Sequence, residues 1–193
     1  SLPPTIIIIL GAANLLADGI SMGASNYLGE KSEKDYERAQ REKEEWEIDN
    51  LRELEVEEIR DIYKKKGFTG KDLERAVAII TSDRKVWLDT MMKDELGIIL
   101  DERDDPKKHG IVTFGAFVVA GILPIAPYLL PGLENQFSYS LAVGVTALFV
   151  VGALRTLITT VSWVRGGLEM LAVGSAAASI AYGVGYIIEG FVR

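Results

Sequence analysis

The chain has 193 residues, 48% hydrophobic and 25% charged, with a formal net charge of −7 and no cysteine. The average hides a division, because 42 of the 49 Lys, Arg, Asp and Glu residues lie between Glu30 and Lys108, leaving seven for the other 114 positions. That distribution excludes a simple soluble domain, a disordered chain and a disulfide scaffold, and the lone histidine, His109, excludes a multi-histidine zinc site within one chain.

Thr5 to Leu28 runs for 24 residues with a single ionisable group, Asp18. At 1.5 Å per residue such a helix spans about 36 Å, enough to cross a hydrocarbon core of roughly 30 Å with tilt. A signal peptide is shorter, begins basic and ends in a cleavage site, so the segment reads as a membrane helix. No Pro or strong break follows Gly29, and Lys31 to Asp49 reads as its polar continuation. A second polar helix is predicted from Arg52 to Lys66, with Leu54, Ile59 and Tyr63 as its apolar face and Gly67 as its stop. Thr69 and Asp72 have the spacing of a capping box and open a third helix, Asp72 to Thr81. Ser82 is expected to cap a fourth, Asp83 to Leu96, which carries Trp87, Leu88, Met91 and Met92. Residues 29–109 therefore read as an all-helical, acidic module, too negative for a polybasic lipid or nucleic-acid contact.

Three further stretches reach bilayer length. Ile111 to Leu130 has no charge, and Pro124 and Pro127 predict a kinked or broken last third. Tyr139 to Thr160 contains only Arg155, and Gly166 to Ile188 only Glu169, with Gly174, Ala178 and Gly183 spaced for close helix contact. The fold class is thus all-α: a polytopic membrane helix bundle of four membrane helices, over 5–28, 111–130, 139–160 and 166–188, with a helical module inserted after the first. Arg155 and Arg165 flank the last connection and Lys107 and Lys108 precede the second membrane helix, whereas Pro131 to Ser138 has no Lys or Arg. The positive-inside rule then places the charged module in the cytosol and both ends of the chain outside it. Because the sequence starts at Ser1 rather than Met, a further helix before it is expected.

Glu44 and Glu47 are three apart on one polar helix, and Glu55 and Glu58 repeat the spacing on the next, so each pair projects from one helix face. Facing helices with paired carboxylates are a known way to hold divalent cations, and Met91, Met92 and Glu95 add two thioethers and a carboxylate. The blander reading is an acidic solvated surface, with Glu42, Glu45, Glu53 and Glu57 equally plentiful and the methionines filling a core. In the first membrane helix, Asn14, Asp18 and Met22 follow at four-residue steps, with Ser21 and Asn26 close by. An acid at that depth is costly unless it faces a polar cavity, which makes it a functional candidate, with an interhelical hydrogen-bond cluster as the structural alternative. For Arg155 and Glu169 the alternatives are an ion pair or snorkelling at the membrane edge.

The run Ala13-Asn-Leu-Leu-Ala-Asp-Gly-Ile-Ser-Met22, then Asn26-Tyr27-Leu28, the Glu-rich helices, Trp87 followed by Met91-Met92-Lys-Asp-Glu95, and Gly167-Leu-Glu-Met-Leu171 together resemble the vacuolar iron transporter family. In that family a dimeric, five-helix membrane domain moves Fe²⁺, and often Mn²⁺, out of the cytosol against H⁺, and a cytosolic metal-binding domain follows its second membrane helix. The resemblance implies that Glu44, Glu47, Glu55, Glu58, Met91, Met92 and Glu95 are ligands of that domain, that Met22 lines the membrane pathway, and that the four helices here correspond to the second through fifth. The chain departs from plant and fungal members at Asn14 and Asn26, where Glu is expected, and Asp18 lies on the same face between them.

The resulting expectation is a proton-coupled exporter of Fe²⁺ or Mn²⁺, working as a homodimer in a prokaryotic plasma membrane or a vacuolar-type membrane. Its pathway would contain Asn14, Asp18, Met22 and Asn26, and it would need neither an organic cofactor nor nucleic acid. No GxxxxGK[ST] loop occurs, so a gradient rather than ATP supplies the energy. Two alternatives stay open: a membrane-anchored sensor or store that binds ions without moving them, and a carrier mainly for Mn²⁺ or Zn²⁺. No enzymatic activity is expected.

Overall fold

The computed structural model describes residues 3–99 and 105–192, and among these the regular elements are all helices. Helix α1 (Pro4–Asn50) is continuous through the apolar and the charged segments. It is followed by α2 (Arg52–Lys65), α3 (Gly70–Ser82), α4 (Arg84–Thr90), a π-helical turn (Met91–Glu95), α5 (Pro106–Ile122), α6 (Gln136–Leu154) and α7 (Trp163–Val192), with short 3-10 turns at Ala126–Leu129 and Arg155–Leu157. The chain divides into two compact units, residues 1–23 with 112–193 and residues 24–111.

In the apolar unit, side chains give way to glycines where helices meet. A Cβ on Gly19 of α1 would lie 3.2 Å from Phe114 of α5, and one on Gly121 would collide with Leu15. Between α6 and α7 the approach is closer still: Gly152 and Gly166 face each other backbone to backbone, and Gly167 and Gly174 take the rings and methyls of Phe149 and Leu148. Lipid tails are as apolar as Leu, so such contacts bind by close packing rather than by release from water. The prolines break the stretch after α5 where the sequence places the break. Pro127 has no N–H to donate, and the hydroxyl of Ser140 donates to the Pro124 carbonyl instead at 2.6 Å. Among the described residues three helices, α1, α6 with its 3-10 extension, and α7, are long and apolar enough to cross a membrane. Helix α5 has 17 residues, because the proline break ends it at Ile122.

The charged unit has an ordinary aqueous core. Leu73, Val77 and Ile80 line one face of α3 at helical spacing and pack with Ile59, Trp87 and Met91. Three local expectations are corrected. Thr69 makes no side-chain cap, and the turn into α3 is made by Gly70 at φ +56°. Ser82 donates back to the Ile79 carbonyl at 2.7 Å, leaving the cap of α4 to Asp83, whose carboxylate accepts from the Lys85 and Val86 amides at 2.8 and 3.1 Å. Leu54 is 60% exposed, because α2 turns Glu55 and Ile59 inward in its place.

Candidate functional site

Helices α1 and α2 each bring one carboxylate into the core of the charged unit. Glu44 is 1% exposed and Glu55 is 4% exposed, and one oxygen of each, Oε2, has no hydrogen-bond partner. Their partners three residues on are more open: Glu47 is half-buried and accepts from Lys43 Nζ at 3.0 Å, while Glu58 is exposed beside Glu95. Burial, and then the neighbouring carboxylates, push both Glu44 and Glu55 up to about 7 from the ordinary 4.5. For Glu44 the largest like-charge contribution comes from Glu95, and for Glu55 from Glu58. Glu95 is itself raised, by burial first and by Glu58 next. Five carboxylates from three elements therefore share one electrostatic neighbourhood.

Met91 and Met92 are 0% and 1% exposed on the π-helical turn that also carries Glu95. A π-turn inserts an extra residue into the helical repeat, which lets two consecutive residues both reach the interior, and such turns concentrate at functional sites. Among the described residues no three Asp, Glu or His side chains meet at ion-holding distance within one chain. The arrangement is a set of converging groups rather than a closed coordination sphere.

The neighbouring acids behave differently. Glu45 pairs with Arg41 at 3.3 Å and Arg84 at 3.8 Å, Glu57 pairs with Arg60, and Glu42 and Glu53 are exposed. An unpaired buried carboxylate costs several kcal/mol by order of magnitude, whereas an exposed ion pair is worth about 0–1 kcal/mol. The asymmetry separates Glu44 and Glu55 from the surface set in a way their spacing could not. Lys43 was missed in the sequence, although its position four residues before Glu47 was a readable signal.

In the apolar unit, Asn14, Asp18 and Met22 are all exposed along one face of α1. Asp18 also lines a cavity of about 540 Å³ with Leu15, Phe117, Gly121, Ile125 and Met170. Met170, within the Gly167–Leu171 run, lines the same cavity and carries a thioether. Asn26 belongs to the charged unit and holds a buried Oδ1 with no hydrogen-bond partner. Arg155 and Arg165 both bind Glu169, at 3.4 and 3.0 Å, which settles those side chains as ion pairs.

The sequence profile of the VIT family matches residues 1–186. This chain belongs to the vacuolar iron transporter family. Vacuolar iron transporters of Toxoplasma gondii and Plasmodium berghei are 33% and 34% identical to it, over 95% and 98% of its length. Vacuolar iron transporter 1 of Tulipa gesneriana is 30% identical over 98%. The chain spans 64% of the Toxoplasma relative, 73% of the Plasmodium relative and 77% of the tulip one. Family members are named as transporters, so this vacuolar iron transporter homologue is a transporter-family protein and not an enzyme, and its apolar helices make it an integral membrane protein.

Proposed function

We propose that the protein exports Fe²⁺ from the cytosol in exchange for protons, with residues 29–109 as a cytosolic ion-gathering domain and Mn²⁺ as a second cargo. The observation that carries this reading is the pair of buried carboxylates, Glu44 and Glu55, each with one oxygen that has no hydrogen-bond partner, in the unit whose core holds Met91 and Met92. Carboxylate with thioether suits a borderline cation such as Fe²⁺ better than Mg²⁺ or Ca²⁺, which take oxygen ligands. Glu44, Glu47, Glu55, Glu58, Met91, Met92 and Glu95 act as its ligands, and a bound cation offsets the mutual repulsion that pushes their protonation upward.

In the membrane, the four segments of the sequence reading span, with the stretch after the α5 break completing the second. The exposed face of Asn14, Asp18 and Met22 is covered by a second copy, so that the pathway forms at a two-fold axis, with Asn26 at its end. A lone carboxylate facing lipid is costly, and a homodimer removes that cost while doubling each ligand. Exchange follows from one carboxylate that holds either a proton or a cation: protonation weakens the metal site and metal displaces the proton.

Flux of Fe²⁺ into proteoliposomes, with and without an imposed pH gradient, tests the proposal. Uptake that accelerates with the gradient is the expected result. Binding without uptake would make the protein a sensor or store, and uptake of Mn²⁺ or Zn²⁺ in preference to Fe²⁺ would reassign the cargo. Crosslinking in detergent is expected to trap a dimer, and monomers under all conditions would remove the two-fold pathway.

A further inference from the structure

A second cavity lies in the charged unit, about 280 Å³ in volume, lined by Arg41, Lys85, Asp89, Met92, Lys93 and Ile98 among others. Its charge runs against its surroundings. The segment from Glu30 to Lys108 has six more acids than bases, yet this wall sets three cations against one carboxylate. Arg41 is held by Glu45 at 3.3 Å and reaches Asp89 at 3.9 Å. Lys85 and Lys93 are both exposed, and among the described residues neither forms an ion pair. Met92, only 1% exposed, contributes to the same lining.

A bare divalent cation is repelled by such a rim. A small anion is drawn to it, and a cation wrapped in an excess of anionic oxygens is drawn with it. A cavity of about 280 Å³ has room for a compact anion. We propose that this cavity binds a small oxygen-rich polyanion, a tricarboxylate or a phosphate, and thereby docks a chelated cation on the charged unit. This deepens the ion-gathering reading and rests on it for the docking step. Anion binding itself depends only on the cavity.

The test uses the metal-free full chain in detergent at constant ionic strength, with citrate and inorganic phosphate as calorimetric probes and sodium chloride as the control. Citrate is expected to bind once per chain, with affinity at least about tenfold weaker in K85Q/K93Q and unchanged in K64Q/K65Q, whose exposed lysines lie outside the cavity. The same loss seen with phosphate alone would assign the site to phosphate. Binding of neither anion, or an equal loss in both variants, would overturn the proposal. A parallel titration with bare Mn²⁺ separates the two readings. Mn²⁺ binding that is intact in K85Q/K93Q supports a distinct anion site. Citrate binding without any Mn²⁺ binding would overturn the docking step and the ion-gathering function together, leaving only an anion site.

Discussion

The charged unit and the apolar unit place their critical carboxylates in opposite ways. In the charged unit Glu44 and Glu55 are sealed inside a core with Trp87, Ile59 and two methionines, where water cannot stabilise their charge. In the apolar unit Asp18 is exposed on a helix whose surroundings are glycine, Phe and Leu. Burial is the anomaly in the first unit and exposure is the anomaly in the second, because the medium outside each is different. A polar group is informative when its own surroundings give it no partner.

The largest effect expected from breaking this contrast is at Asp18. Asp18→Asn keeps the shape and removes the carboxylate, so Fe²⁺ flux in proteoliposomes should be abolished while expression and helical content remain those of the parent. Unchanged flux would make Asp18 a structural residue.

The packing of the apolar unit supplies the next effect. A Cβ on Gly152 would collide with the Gly166 carbonyl and lie 2.6 Å from the Met170 Cβ, whereas one on Gly185 meets nothing within 4 Å. Gly152→Leu should therefore destabilise the α6–α7 pair by at least the about 1–3 kcal/mol typical of overpacking, and Gly185→Leu should not. Thermal unfolding in detergent distinguishes the two. Equal midpoints would mean that the helices do not depend on this contact.

A smaller effect is pH-dependent and belongs to the charged unit alone. Glu44 and Glu55 stand at about 7 in the folded chain against 4.5 ordinarily, so between those values the folded state binds more protons than the unfolded one. Their contribution is fully present below about pH 4.5 and is lost as pH rises through about 7. The metal-free unit, followed through Trp46 and Trp87 fluorescence, should melt at a lower temperature at pH 8 than at pH 6, and Glu44→Gln with Glu55→Gln should flatten the trend. Divalent cation should reverse it, since binding strengthens as the carboxylates ionise. A midpoint that rises with pH in the metal-free protein would contradict the burial of these groups.

Several features of this architecture were legible in the chain. The absence of Pro after Gly29 correctly implied one helix through both segments, Gly67 at φ +97° stops α2, and Pro124 and Pro127 break the helix that starts at Pro106. Other features depend on packing that no local pattern encodes. Leu54 and Glu55 are adjacent, and only the approach of neighbouring elements selects the acid for the interior. Glu44 and Glu45 are likewise adjacent, and the second is a surface group because Arg41 and Arg84 reach it. The π-turn at Met91–Glu95 has no Pro or Gly to announce it, and it decides that both methionines face inward. Spacing named the cluster's members, but burial ranks them.

The most direct measurement counts the ions bound by the metal-free protein, using calorimetry with Mn²⁺, in the parent chain and two quadruple variants. Replacing Glu44, Glu47, Glu55 and Glu58 by Ala should lower the number of bound ions, whereas replacing Glu42, Glu45, Glu53 and Glu57, whose side chains are exposed or paired with arginines, should leave it unchanged. Equal losses in the two variants would show a diffuse acidic surface and contradict a defined site.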